Sequence, residues 1–229
     1  MGRHSRQAFL LIAAALAIPA CGGGHGDGNK TSGGGGGGST SNELFKEDFD
    51  GAFPGTAWSA PFTTGSGTSV EIDHSGNPAL RVTTSSDPSF VGTTTMGSFN
   101  SRPMTVSVKI SSAGSGEGSG GIAILDHLGA SIAAAEWHAA TPSGLTFRIQ
   151  SSTNPTPVAV PLAGSGFHTF TFSVSASGEA SWSLDGTEVM NHAGFPNDMV
   201  RVQLYDNIGS TSASTFAIFK FDDLSITTP

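Results

Sequence analysis

The strongest constraint on this chain is a hydrophobic alternation of period two, broken at short intervals by turn residues. In "HTFTFSVS", Phe170, Phe172 and Val174 share one face, while Thr169, Thr171 and Ser173 take the other. In "MTVSVKI", Met104, Val106, Val108 and Ile110 line up. In "MVRVQLYD", Val200, Val202 and Leu204 oppose Arg201, Gln203 and Tyr205. Alternation of this kind marks strands with one face buried and one wet. "SASGEASWSLDGTEVMN" reads as two hairpins, turning at Ser177-Gly178 and at Asp185-Gly186. "GIAILD", "LTFRIQ" and "FAIFKFDDLSI" add further strands. "GASIAAAEWHAA" is rich in Ala and could form a short helix, but its place between two strands, with Ile132 and Trp137 in it, predicts a strand. About a dozen strands in one stretch predict an all-β domain of two packed antiparallel sheets, a jelly-roll sandwich.

The alternation begins only near residue 43. Before it, Arg3 and Arg6 precede "AFLLIAAALAIPA", a short apolar run ending in small residues. That is the pattern of a secretory signal over residues 1–20, too short for a membrane span. The run leads into "IPAC", and Cys21 is the single cysteine of the chain. Here the sequence resembles bacterial lipoproteins, in which a lipidated Cys becomes the new amino terminus; Ile18, Ala20 and Cys21 fit, and Pro19 departs from the usual neighbours. Residues 21–42 then form a Gly-rich tract with almost no apolar side chains. Such a tract cannot offset its ordering entropy and is expected to act as a flexible tether. The expected place of the protein is therefore the bacterial cell envelope, anchored through lipid on Cys21. One Cys excludes a disulfide framework, so the stability of residues 43–229 must come from a core or a metal.

Charge narrows the partners. Without Asp27, Arg3, Arg6 and Lys30, the 18 acids and 10 Lys/Arg of the chain leave 17 and 7 in the domain, a formal charge of −10. No basic patch is visible, which argues against nucleic acid and anionic lipid surfaces.

Four segments carry a resemblance: "EDFDG" at the start, "GIAILDHLG" in the middle, "HTFTFSVSASGEASWSLDGTEV" after it, and "FDDLSI" at the close. Together they resemble the concanavalin A-like lectin/glucanase superfamily, and its LamG-like members in particular. The resemblance covers most of residues 43–229 and implies the sandwich fold. It also implies a carbohydrate or other extracellular polymer as partner. It does not choose among lectins, binding modules, hydrolases, lyases and adhesion domains. In related jelly rolls the first and last strands lie side by side, often with calcium between them. That implies Glu47, Asp48, Asp222 and Asp223 as candidate ligands for a structural Ca2+, although alternation prevents neighbours such as Asp222 and Asp223 from pointing the same way.

Catalytic chemistry is harder to find. Family hydrolases carry an E-x-D-x-x-E type motif, and "EIDHSG" at Glu71 and Asp73 matches only its first half, with Ser75 and Gly76 where the second acid would stand. No zinc-like spacing joins His74, His127, His138, His168 and His192. Sugar recognition needs aromatic faces with polar neighbours. The candidates are Trp137 with His138 at the end of an Ala-rich strand, and Arg201, Gln203 and Tyr205 on one polar strand face; Trp182 is expected in the core. The sequence thus favours a binding module for a glycan or other polymer, without catalysis. A glycoside hydrolase or polysaccharide lyase of the same fold, and an adhesion module for protein, are the alternatives.

Overall fold

The computed structural model describes residues 42–229, except 66, 86–88, 116–117, 139–143, 150–157, 162–165 and 209–215. The amino-terminal leader, Cys21 and most of the Gly-rich tract lie outside the described residues. Every regular element among the described residues is a strand. The first eight are β1 (Asn42–Glu47), β2 (Phe62–Thr64), β3 (Ser69–Asp73), β4 (Ala79–Ser85), β5 (Ser89–Thr94), β6 (Phe99–Asn100), β7 (Met104–Ser115) and β8 (Gly118–Leu125). They are followed by β9 (Ser131–His138), β10 (Gly144–Ile149), β11 (Val158–Pro161), β12 (His168–Val174), β13 (Ala180–Leu184), β14 (Thr187–His192), β15 (Met199–Ile208) and β16 (Phe216–Thr228). The Ala-rich stretch is the strand β9, in agreement with its sequence neighbours.

The strands form two antiparallel sheets. Sheet I runs β14-β13-β12-β7-β16-β4-β3, with β1 also paired to β16. Sheet II runs β11-β10-β9-β8-β15-β5-β2, with β6 paired to the start of β15. The first and last strands do lie side by side: Asn42 faces Thr228 and Glu47 faces Leu224. Both hairpin turns read from the sequence are present. Gly178 and Gly186 take positive φ, and so does Asp185 at 49°, the backbone that a two-residue hairpin demands.

Alternation delivers the core. Phe170, Phe172 and Trp182 of sheet I and Phe147 of sheet II are each no more than 1% exposed. Their rings interlock, with Phe172 and Trp182 centroids 4.8 Å apart and Phe147 and Trp182 6.0 Å apart. Burying each large apolar side chain contributes about 1.5–3 kcal/mol, the dominant favourable term. The Trp182 indole N–H also donates to the Arg148 carbonyl at 3.2 Å, which ties sheet I to β10 across the sandwich.

Sheet I packs tightly against β8 at its glycines. A Cβ on Gly120 would lie 2.4 Å from the Phe219 ring, and one on Gly118 would lie 2.3 Å from the Ala217 Cβ. Replacing Gly120 by Ala is expected to cost about 1–3 kcal/mol from overpacking, read as a lower urea midpoint with an unchanged slope.

A carboxyl group sits inside this core. Asp206 of β15 is 0% exposed. Its Oδ2 accepts from the Thr84 hydroxyl at 3.0 Å, while Oδ1 has no hydrogen-bond partner among the described residues. Burial without a cation pushes its carboxyl up to about 7. The unfolded chain gives up this proton near pH 4 and the folded domain only near pH 7. The stabilisation is therefore whole below about pH 4 and lost as pH rises to about 7, a change of roughly 4 kcal/mol. Thermal melting should show the wild type losing stability from pH 5 to pH 8 relative to Asp206→Asn, whose curve should lack that component.

Candidate functional site

The outer face of sheet II gathers most of the sequence-predicted binding residues. On β15, Val200, Val202 and Leu204 point into the core, so Arg201, Gln203 and Tyr205 point outward. On β9, Ala133, Ala135 and Trp137 are core residues, so Ala134, Glu136 and His138 point outward. On β10, Leu145, Phe147 and Ile149 are inward, leaving Thr146 and Arg148 outside. His138, Arg201, Gln203 and Tyr205 thus share one face, as expected.

Trp137 does not join them, and the expectation that its ring projects is corrected. Trp137 is 2% exposed and meets the His168 ring edge-on at 5.6 Å. The strand places its larger apolar side chain inward and turns the charged Glu136 to the other face.

Glu136 is the residue that the sequence reading overlooked. By register it lies opposite Gly121 of β8, and Gly121 lies opposite Tyr205 of β15. With no side chain on Gly121, the two can meet above the central strand. The Tyr205 hydroxyl donates to Glu136 Oε1 at 2.7 Å, and Arg148 Nη2 donates to the same oxygen at 3.2 Å. Among the described residues no hydrogen bond falls on Oε2. Burial, reinforced by the neighbouring carboxylate, holds the Tyr205 phenol well above its ordinary range, so it remains a protonated donor.

Around this cluster the face is graded. On one side Phe62, Phe90 and Tyr205 form an aromatic strip, with successive centroids 5.2 and 5.5 Å apart. On the other, His138 Nε2 and the Thr146 hydroxyl share a hydrogen bond at 3.0 Å. Gln203 reaches Thr94 at 3.4 Å. The floor is a small apolar cluster of Ala123, Leu125, Ala134 and Tyr205, separate from the main core.

The terminal acids are placed otherwise. Glu47 accepts from the Phe49 backbone N–H at 2.9 Å and from the Trp58 indole at 3.1 Å. Asp48 accepts from the Asp50 N–H at 3.4 Å. Asp222 accepts from Asn77 at 2.7 Å and from the Asp223 N–H at 2.8 Å, while Asp223 pairs with Lys109 at 2.5 Å. Asp222 and Asp223 do diverge, across a bulge in which Asp223 takes a φ of 49°. Among the described residues no three His, Cys, Asp or Glu side chains gather as a metal-binding group. The half-motif at Glu71 lies on the other sheet: Glu71 pairs with Arg81 at 3.5 Å and Asp73 with Lys220 at 2.7 Å.

No protein-family model and no curated protein sequence matches the chain. Solved structures do. The apo Crh5 transglycosylase is 15% identical with a TM-score of 0.58, covering 83% of this chain and 88% of that one. The catalytic domain of an endo-1,3-β-glucanase (laminarinase) from Thermotoga petrophila is 13% identical at TM-score 0.58, over 82% and 98%. SCLam, a non-specific endo-β-1,3(4)-glucanase from family GH16, is 12% identical at TM-score 0.61, over 82% and 91%. These neighbours are enzymes, which overturns the non-catalytic binding module as the leading reading and moves the hydrolase alternative ahead of it. What the likeness establishes is the architecture: the domain has the concanavalin A-like jelly-roll fold of GH16 glucanases and transglycosylases.

Proposed function

We propose that the domain is a glycan-cleaving enzyme of the glycoside hydrolase type, working on the outer face of sheet II with Glu136 as its proton-transferring group. The observation that carries this reading is the Glu136 carboxylate held by Tyr205 and Arg148 beside an aromatic strip. Breaking a glycosidic bond requires a proton for the leaving oxygen, from a carboxyl fixed in orientation. Two donors on Oε1 fix that orientation and leave Oε2 to face a sugar oxygen. Phe62 and Phe90, both partly exposed, offer ring faces to the C–H surface of pyranose units, and the buried Tyr205 ring packs against Phe90. The fold neighbours named as glucanases and a transglycosylase support the same class of chemistry.

A two-carboxylate retaining mechanism would need a second acid about 5–5.5 Å from the first. Among the described residues Glu136 is the carboxylate that the register places on this face. The reading therefore has Glu136 give its proton to the leaving glycosidic oxygen while water attacks the sugar carbon, and the proton that the water sheds passes to solvent, from which Glu136 is protonated again.

We further propose that Cys21 carries lipid and that residues 22–42 hold the domain near the cell envelope. The motivation is the signal-like run ending in "IPAC" and the Gly-rich tract after it. Cys21→Ser should move the protein from the membrane fraction to the soluble fraction, with its fold unchanged by circular dichroism; retention in membranes would refute the anchor.

Reducing-sugar release from a polysaccharide panel tests the enzyme. Glu136→Gln should lower the rate by at least about 100-fold, the usual size of a general acid's contribution, with melting temperature little changed. Activity that survives this substitution would remove Glu136 from the reaction.

A further inference from the structure

The two outer faces of the sandwich handle charge differently. On sheet I, acids and bases are interleaved and matched: Glu71 with Arg81, Asp73 with Lys220, and Lys109 with Asp223, which adjoins Asp222 on β16. On sheet II, the charged outward side chains are Arg148 and Arg201 against Glu136, with His138 beside them. In a chain with 18 acids and 10 Lys/Arg, this is the face on which bases outnumber acids.

Neither guanidinium has all its donors engaged. Arg148 uses Nη2 on Glu136, while its Nε is buried with no hydrogen-bond partner among the described residues. Arg201 makes no ion pair among the described residues. It lies over the turn after β8, where a Cβ on Gly129 would be 3.7 Å from its Nη2. Two acids near that turn are already engaged: Asp126 accepts from the Leu128 and Ala130 N–H groups, and Asp198 pairs with His127.

Register separates the two guanidinia. Arg148 shares a row with Ala134, Ala123 and Gln203, and Arg201 lies two residues further along β15, opposite Leu125. Three strand spacings put them roughly 14 Å apart across the sheet. Between them lie Ala123, Ala134 and Leu125, buried small or apolar side chains with no charge to compete. A neutral glucan offers a guanidinium only hydroxyl and ether acceptors, whereas a carboxylate or sulfate accepts its parallel N–H groups in stronger, charge-assisted bonds.

We propose that this face takes an anionic polysaccharide, a polyuronate or a sulfated glycan, whose acid groups are held by Arg148 and Arg201. The proposal rests on the reading of this face as the glycan-cleaving site, and it names the substrate class.

Affinity electrophoresis of the full chain through gels containing pectate, a sulfated galactan or laminarin tests it, with product release measured in parallel. Pectate or the sulfated galactan should retard the protein, the retained arm naming the acid group. Retardation should weaken as salt shortens the range of charge attraction. Arg201→Gln should weaken it about tenfold and Arg201→Lys should restore part of it, both variants melting like the wild type. Equal retardation by laminarin, or no effect of Arg201→Gln, would overturn the proposal. Cleavage of laminarin without binding to either anionic polymer would overturn it too, while leaving the hydrolase reading in place. Arg201-dependent binding of an anionic polymer that is never cut would uphold it and bring down the hydrolase reading.

Discussion

The three glycines in the first half of β8 govern both the sandwich and the site. "GSGGIAIL" places Gly118 and Gly120 against sheet I, where any Cβ would strike Ala217 or Phe219. The central strands can therefore approach more closely than ordinary sheet packing, which is set by interdigitated side chains, would allow. On the opposite face of the same strand, Gly121 leaves a gap that the Glu136 carboxylate and the Tyr205 phenol cross to meet. A bulky residue at any of these three positions would act on the fold or on the site, depending only on its parity.

The core and the site are joined through one backbone group. Trp182, buried in sheet I, donates to the Arg148 carbonyl, and the Arg148 side chain then leaves the opposite face of β10 to reach Glu136. A fully buried indole seldom goes without a partner, so this bond also fixes the height of β10 over the core. At the other end of the sandwich, Glu47 plays a comparable part. It fastens the start of the loop after β1 to Trp58, around which Phe45, Phe49 and Phe53 pack.

Much of this was legible in the sequence because period two is a local signal. It marked β7, β12 and β15, both hairpins, and the shared face of Arg201, Gln203 and Tyr205. The same rule applied to "SIAAAEWH" would have turned Trp137 inward and Glu136 outward. An aromatic ring at a strand end drew attention from the acid beside it. Asp206 was hidden in a similar way: it follows Val200, Val202 and Leu204 in the inward parity, but acids are expected outside. Cross-strand meetings lie beyond local reading. That Gly121 would stand between Glu136 and Tyr205 depends on register among strands far apart in sequence. The pairing of Glu47, Asp222 and Asp223 with Trp58, Asn77 and Lys109 has the same origin.

Asp206 has a consequence for the chemistry of folding itself. A carboxyl that is ionised in the open chain and protonated between the sheets makes the folding of this domain a proton-uptake reaction over mildly acidic pH. Unfolding in that window returns the proton to the medium. The heat of the transition then includes the ionisation of Asp206 and of whatever buffer receives the proton, so the apparent enthalpy follows the buffer chosen. A domain built this way couples its folded population to the acidity of its surroundings, through one oxygen atom that no protein donor reaches among the described residues.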